Sequence, residues 1–249
     1  MRTLKLLHTL ILTSTCLAQS FHTINHKIID TIEHDPNLFT QGLAYNPPYL
    51  YESSGLYGKS KLTKYHWPSR TKLQHTALIP QIFAEGIAIK NNELLQLTWR
   101  EHTAIVYDLH TNKPKRYLQY PGEGWGLTSN ENNYIMTSGN HCLQHRNPND
   151  FSLNKTVCLT HPKAKSWQLN DITYDQGYIY ANIWYQDIIA KINPENGEVA
   201  GIIPLNYLRK NLPKHSKVDV LNGITTLAHN TLLITGKYWP YYYIIQLDP

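Results

Sequence analysis

The feature that most constrains the fold is a two-strand unit that occurs five times along the chain. In each unit a short apolar segment, a turn and a second apolar segment follow one another, which is the pattern of a β-hairpin. A glycine or an aspartate marks the first segment of every unit, and these markers are Gly42, Gly86, Gly126, Asp171 and Gly223. Their spacings of 44, 40, 45 and 52 residues form a period that is typical of repeat architectures.

A period of this length, with a third strand after several of the hairpins, predicts an all-β fold, a five-bladed β-propeller. The third strands are expected at residues 104–109, 188–192 and 242–247. A strand at residues 24–32 is expected to complete the last blade and so close the ring. A two-sheet sandwich is the alternative, but it does not require a regular period. One short helix is predicted within residues 206–215.

The first twenty residues have the pattern of a secretory signal peptide, with a positive start, a short apolar segment and small residues before a cleavage site. Residues 21–249 are then expected to form a single domain that acts as a monomer. No later stretch has about 18 unbroken apolar residues, so membrane insertion is not expected. The protein is therefore predicted to be exported and to be periplasmic or secreted.

The charge of the chain gives little support for a polyanionic partner. Removal of Arg2 and Lys5 with the signal lowers the formal net charge from +5 to +3. No cluster of Lys and Arg is interleaved with aromatic residues, so nucleic acid is not an expected partner.

The three cysteines bear on redox state and metal binding. Cys16 lies in the signal segment, which leaves Cys142 and Cys158 for a disulfide in an oxidising compartment. Two buried thiols are the alternative. No spacing of Cys and His resembles a zinc site, so neither a metal nor another cofactor is expected.

The residue before each marker varies in chemistry from unit to unit. Inner strands of a propeller line its channel, so these five positions are expected to form a ring at one mouth, made of Gln41, Glu85, Trp125, Asn170 and Asn222. The second strands should end in the same region, at Gly55, Trp99, Gly139, Trp184 and Lys237. A repeated scaffold does not require such varied polar groups, which favours a functional site. The alternative is that the ring only satisfies hydrogen bonds within the channel.

Glu85 is the candidate proton-transfer group of this ring. Indole walls exclude water and raise the pKa of a carboxylate, whereas Lys237 would lower it or stabilise a developing negative charge. The sequence alone leaves the balance between these effects open. No Ser or Cys nucleophile with a histidine partner is apparent, which disfavours covalent catalysis.

Several short motifs in fixed order resemble those of the glutaminyl-peptide cyclotransferases of the plant and bacterial type. They are Phe39-Thr40-Gln41-Gly42-Leu43, Leu50-Tyr51-Glu52-Ser53-Ser54-Gly55-Leu56-Tyr57-Gly58, Glu85-Gly86-Ile87, Gln96-Leu97-Thr98-Trp99, Gly122-Glu123-Gly124-Trp125-Gly126-Leu127-Thr128, Ala181-Asn182-Ile183-Trp184, Leu221-Asn222-Gly223-Ile224 and Thr235-Gly236-Lys237-Tyr238-Trp239-Pro240. The motifs span essentially the whole chain after the signal segment, and their joint occurrence is far more specific than any one of them.

The resemblance implies a five-bladed propeller that converts the N-terminal glutamine of peptides or proteins into pyroglutamate and releases ammonia without a metal. It implies that Glu85 is the catalytic acid and base. The substrate pocket would be supported by Phe39 and Phe83 and lined by Gln41, Trp99, Trp125, Asn170, Trp184 and Lys237. In the mechanism that we expect, Lys237 or an amide donor also has a catalytic role, because it stabilises the oxyanion.

Two positions depart from the pattern of the family. After Asn170 the family has an acidic residue followed by Leu-Glu, where this chain has Asp171-Ile172-Thr173, and Ser138 replaces a family aspartate. These departures leave open a weak enzyme, or a propeller that binds peptide N-termini without turning them over.

Overall fold

A computed structural model describes residues 20–214 and 217–248 of the chain. Within these residues, twenty β-strands form five antiparallel sheets of four strands each, arranged as the five blades of a propeller. This confirms the predicted fold class. Apart from Ser20, the predicted signal segment lies outside the described residues.

The first strand of the chain, β1 (His26–Glu33), belongs to the last blade. Each of the first four blades is instead built from consecutive strands. Blade 1 contains β2 (Thr40–Asn46), β3 (Tyr49–Ser54), β4 (Lys61–His66) and β5 (Thr71–Ala77). Blade 2 contains β6 (Ala84–Lys90), β7 (Glu93–Thr98), β8 (Thr103–Asp108) and β9 (Pro114–Gln119).

The remaining blades follow the same order from the channel outwards. Blade 3 contains β10 (Leu127–Ser129), β11 (Tyr134–Met136), β12 (Cys142–Arg146) and β13 (Leu153–Cys158). Blade 4 contains β14 (Leu169–Asp175), β15 (Tyr178–Ile183), β16 (Ile188–Ile192) and β17 (Val199–Pro204). Blade 5 contains β18 (Leu221–Ala228), β19 (Thr231–Gly236), β20 (Tyr241–Leu247) and, outermost, β1.

The apolar core consists of five layers, one between each pair of neighbouring blades. Between blades 1 and 2, for example, Tyr51 and Leu62 pack with Ile87 and Leu94. The inner strands are buried along most of their length, whereas the outermost strands are largely exposed. Burial on both faces explains why the inner strands are recognisable as apolar runs, and exposure of the outermost strands explains why those of blades 1 to 4 were not predicted.

The last blade is closed by the N-terminal part of the chain, as predicted. Strand β1 pairs with β20, from His26 with Leu247 to Glu33 with Tyr241. The following segment carries His34 into the interior, where its Nε2 atom lies 2.9 Å from Oε1 of Glu52 on β3 of blade 1. An ionisable pair therefore joins the first blade to the last.

The inner strands are irregular where they begin. The register with the second strand shifts between Thr40 and Gly42, and equivalent shifts occur in blades 2, 4 and 5. Such bulges change the direction in which a side chain points and are common beside active sites. At Gly86 a Cβ atom would lie 2.6 Å from the Leu127 nitrogen, so the marker glycines lie where neighbouring inner strands approach most closely.

The remaining sequence predictions are confirmed in part. The short helix α1 is found but spans only Asn206–Lys210, and a 3₁₀ turn at Pro162–Ser166 was not predicted. Cys142 and Cys158 form the expected disulfide, which joins β12 to β13. No helix in residues 20–214 or 217–248 is long and apolar enough to cross a membrane.

Candidate active site

Nine side chains that the sequence singled out line one cavity of about 260 Å³ at one mouth of the channel. They are Phe39, Gln41, Phe83, Glu85, Trp99, Trp125, Asn170, Trp184 and Lys237. The fifth ring residue, Asn222, is fully buried and does not line the cavity. Its amide nitrogen donates to the carbonyl oxygen of Thr40 at 2.9 Å, so it braces the start of β2.

The backbone brings the ring residues of different blades together. Gly86 donates its N–H to the carbonyl oxygen of Trp125 at 2.7 Å, which links the start of β6 to the segment before β10. The side chain of Gln41 then reaches Glu85, and its Nε2 atom donates to Oε1 of Glu85 at 3.0 Å. Because the bulges lie at these positions, polar side chains enter the cavity from strands that are otherwise apolar.

Glu85 is the most electrostatically perturbed group that lines the cavity. Burial raises the pKa of its carboxyl group well above the usual value of 4.5, although the positive charge of Lys237 acts in the opposite direction. The nearby carboxylates of Asp171 and Glu123 raise it further. The sequence left open whether burial or Lys237 has the larger effect on the pKa of Glu85, and in the structure burial has the larger effect.

Lys237 is the cationic group of the cavity, and its side chain is also buried. Burial lowers the pKa of its amino group, while the negative charge of Glu85 opposes that shift. The Nζ atom lies 4.5 Å from the centre of the Phe39 ring, within the range of a cation–π contact. Among the described residues no salt bridge joins Lys237 to Glu85, so the two charges act on each other across the cavity.

The indoles are held in place by a carboxylate that the sequence did not assign to the site. Glu123 accepts hydrogen bonds through Oε2 from Nε1 of Trp99 at 2.8 Å and from Nε1 of Trp125 at 3.0 Å. Arg100 donates to the other oxygen of Glu123 at 2.9 Å. The position of Glu123, two residues before Trp125, could have indicated a contact with that indole. The sequence spacing does not reveal the contact with the second indole, that of Trp99.

Three contacts between aromatic rings complete the wall of the cavity. The rings of Trp125 and Trp184 meet edge to face, with centroids 5.3 Å apart. Phe83 packs against Trp99 at 5.5 Å and against Phe39 at 6.2 Å. These rings form a rigid, largely apolar enclosure around the polar groups.

Asn170 lines the cavity and has a buried side-chain oxygen without a partner. Its Oδ1 atom forms no hydrogen bond with the described residues. Its backbone oxygen is fixed by a hydrogen bond from the hydroxyl group of Thr137 at 2.8 Å. A buried acceptor without a partner is costly unless a ligand or water satisfies it.

Asp171 begins one of the two segments that depart from the family pattern, and it braces the channel. Its Oδ2 atom accepts the backbone N–H of Ile224 at 2.8 Å and that of Leu43 at 3.3 Å, so it joins three blades. Burial raises the pKa of its carboxyl group well above the usual value, although these N–H groups favour the ionised form. The ring was expected to hold one acidic group, but the next residue along β14 adds a second carboxyl group close to Glu85.

Ser138, the other departure, takes part in local hydrogen bonds. Its hydroxyl oxygen accepts from the side-chain amides of Asn140 at 3.1 Å and Gln144 at 3.2 Å. Among the described residues, the possible metal donors that lie close together are His141, Cys142 and Cys158. The two sulfur atoms are joined to each other, which makes this group a poor metal site.

Comparison with known proteins identifies the kind of enzyme that this fold and cavity define. A family model described as glutamine cyclotransferase matches residues 3–247. The glutaminyl-peptide cyclotransferase of Arabidopsis thaliana is 32% identical over 232 residues, which are 91% of this chain and 72% of that protein. The crystal structure of Myxococcus xanthus glutaminyl cyclase superposes with a TM-score of 0.83 at 29% identity, covering 92% of this chain and 99% of that one.

The propeller is therefore an enzyme of the cyclotransferase class. More particularly, the chain belongs to the glutamine cyclotransferase family.

Proposed function

We propose that the protein cyclises the N-terminal glutamine of peptides or proteins to pyroglutamate, with release of ammonia and without a metal. The observation that carries this proposal is the buried carboxyl group of Glu85, hydrogen-bonded by Gln41 inside a cavity walled by indoles. Membership of the glutamine cyclotransferase family supports the same reaction.

The cavity is suited to folding a glutamine side chain back onto its own α-amino group. The reaction is intramolecular, so most of the catalytic benefit of the site comes from holding the amine close to the amide carbon. The rings of Trp99, Trp125 and Trp184 restrict the side chain without offering it charge. The free Oδ1 atom of Asn170 accepts an N–H from the substrate and fixes its orientation.

Glu85 transfers the proton. Its carboxylate takes one proton from the neutral α-amino group as that nitrogen attacks Cδ of the glutamine side chain, and the carbonyl electron pair moves onto the amide oxygen. When the carbonyl re-forms, the Cδ–Nε bond breaks and the proton held by Glu85 passes to the amide nitrogen, so that the lactam keeps one N–H and ammonia leaves. A carboxyl group whose pKa is raised well above its usual value serves both steps, because its anion is a stronger base than an exposed carboxylate and its neutral form can return the proton.

Lys237 stabilises the negative charge that develops on the amide oxygen during attack. Its ammonium group is buried in the cavity wall, where a charge acts more strongly than it does in water. Because Glu85 and Lys237 supply proton transfer and charge stabilisation, the proposed reaction has no step that requires a metal. Activity should then survive treatment with a chelator.

The disulfide supports export of the protein to an oxidising compartment, either the periplasm or the exterior of the cell. Peptides or proteins with an N-terminal glutamine are then the proposed partners. Action as a monomer remains a prediction, to be checked by light scattering.

The experiment is to incubate the purified protein with a peptide that begins with glutamine and to follow the peptide mass and free ammonia. We expect the loss of one ammonia molecule per peptide. The same peptide with an acetylated N-terminus is the control and should not react, because its nitrogen cannot attack. Binding of the unblocked peptide without release of ammonia would refute the proposal and favour a propeller that only binds N-termini.

A further inference from the structure

A second, larger cavity adjoins the catalytic one on the side of blade 1. Its volume is about 520 Å³, twice that of the catalytic cavity, so it has room for more than one residue. Its lining includes Phe39, Gly55, Lys59, Lys61 and Lys217. We call it the blade 1 cavity.

Phe39 and Gly55 form the boundary between the two cavities. Phe39 lines both of them. Gly55 lines the blade 1 cavity, and a Cβ atom on it would lie 2.5 Å from the ring of Phe83 and 3.0 Å from Gln41, both in the catalytic wall. Because glycine has no Cβ atom, the backbone at this position can pack directly against the catalytic wall, and it places no side chain between the two cavities. A peptide whose first residue occupies the catalytic cavity can leave it over this boundary.

The blade 1 cavity is basic. Lys59, Lys61 and Lys217 line it, and no Asp or Glu does. In residues 20–214 and 217–248, none of these three amino groups forms a salt bridge. The nearest interaction with a carboxylate is that of Lys61, whose charge helps to lower the pKa of Asp35.

The blade 2 edge of the catalytic cavity carries both signs of charge. Glu101 there accepts hydrogen bonds from Tyr57 and from the backbone of Phe83. Glu123 accepts from the indoles and from Arg100. The blade 1 cavity, in contrast, is lined by lysines without a carboxylate, so a negative charge on a substrate is favoured there.

We propose that the blade 1 cavity is a subsite for carboxylate groups that follow the N-terminal glutamine, so that acidic peptides are preferred substrates. This inference rests on the proposed cyclisation. The carboxylates are either acidic side chains at the second and third positions or the free C-terminus of a short peptide. Both present the same chemistry to the lysine ammonium groups.

The test compares kcat/KM for four substrates at low ionic strength. The first three are glutamine amide and two tetrapeptide amides that begin with glutamine, one with alanines and one with glutamates at the second and third positions. The fourth is the alanine tetrapeptide with a free C-terminus. We expect kcat/KM for the glutamate peptide to exceed that for the alanine peptide by about three- to tenfold, and salt to reduce the difference.

A double variant, Lys59→Gln with Lys217→Gln, should bring this ratio close to unity and leave glutamine amide unaffected. Both lysines are exposed, so the substitutions should not perturb the fold. The matched control is Lys27→Gln with Lys113→Gln, which removes the same charge from exposed positions outside the cavity. The control should keep the preference of the unmodified protein.

The outcomes separate the two proposals. If glutamine amide and the alanine peptide react but neither the glutamate peptide nor the free-acid peptide has an advantage, the subsite is refuted and the cyclisation stands. An equal loss of preference in both double variants would also refute the subsite, because only the overall charge would then matter. A preference shown only by the free acid supports the subsite and assigns it to a terminal carboxylate. If glutamine amide does not react, the cyclisation itself fails.

Discussion

The ionisable pair that joins blade 1 to blade 5 is predicted to stabilise the closed ring, and Glu52→Gln tests it. Glu52 accepts hydrogen bonds from Nε2 of His34 at 2.9 Å and from the hydroxyl groups of Thr40 and Tyr242 at 2.7 Å each. Nδ1 of His34 lies 2.6 Å from the carbonyl oxygen of Trp239, which can only accept. Both ring nitrogens therefore donate, and His34 is held as a cation beside the Glu52 anion.

The magnitude follows from the burial of both partners, whose side chains are each 1% exposed. Removing one member of a buried pair destabilises a protein by about 3–5 kcal/mol. We expect about 3 kcal/mol, at the lower end, because the Gln amide oxygen can still accept and the imidazole can lose its proton. In a protein of this size, that loss corresponds to a fall in Tm of roughly 6–12 °C.

The pH dependence has a definite sign. Burial favours the neutral form of both groups, but the two charges and their hydrogen bonds outweigh it, so the pKa of Glu52 is lowered and that of His34 is raised. The contribution of Glu52 is complete above its usual value of 4.5 and is lost as pH falls through the lowered pKa. The contribution of His34 is complete below 6.5 and is lost as pH rises through the raised pKa. The stabilisation should therefore be greatest between about pH 4.5 and 6.5.

The assay is urea unfolding of the unmodified protein and of Glu52→Gln from pH 4 to pH 9. The matched control is Glu195→Gln, which removes a carboxylate from an exposed pair with Lys155 and should cost less than about 1 kcal/mol. A loss at pH 6 no greater than that of the control would refute the reasoning. So would a difference between the two proteins that does not change with pH.

Two further predictions concern the indole wall and the disulfide. Glu123→Gln should raise KM for glutamine peptides several-fold, because Trp99 and Trp125 lose a charged acceptor. That acceptor is partly exposed, so Tm should change by less than about 4 °C. Steady-state kinetics measures KM and thermal unfolding measures Tm, and an unchanged KM would contradict the role of Glu123 in positioning the indoles. Cys142→Ser with Cys158→Ser should lower the free energy of unfolding by about 2–4 kcal/mol, since the bond closes a loop with a sequence separation of 16. Urea unfolding measures that loss, and equal stability of the double variant and the unmodified protein would contradict it.

The sequence was sufficient to predict the blades and the convergence of several side chains on one cavity at the channel mouth. Inner strands are buried on both faces, so they can be recognised in the sequence as apolar runs. The marker glycines recur because neighbouring inner strands approach one another closely at these positions. The position before each marker was expected to point to one mouth of the channel, and Gln41, Glu85, Trp125 and Asn170 do line one cavity.

The sequence was insufficient where a role depends on contacts between blades. Asn222 has the same register as the other ring residues but is used to hold β2, and Glu123 holds indoles from two different segments. The direction of the Glu85 pKa shift depends on how fully the carboxyl group is buried, which no spacing reveals. The bulges that turn the polar side chains towards the cavity cannot be recognised from the alternation of apolar residues along the strands.

The measurement that tests the central claim most directly is the pH profile of kcat for the unmodified protein and for Glu85→Gln. In the unmodified protein we expect kcat to fall as pH decreases through the pKa of Glu85, at a value above the usual 4.5, because the carboxyl group must be ionised to accept the proton. Glu85→Gln should lower kcat by about 10²- to 10⁴-fold at every pH and remove this dependence. The exposed variant Glu131→Gln is the matched control and should leave kcat unchanged. Retention by Glu85→Gln of kcat near that of the control, with the acidic limb of the profile intact, would contradict the account.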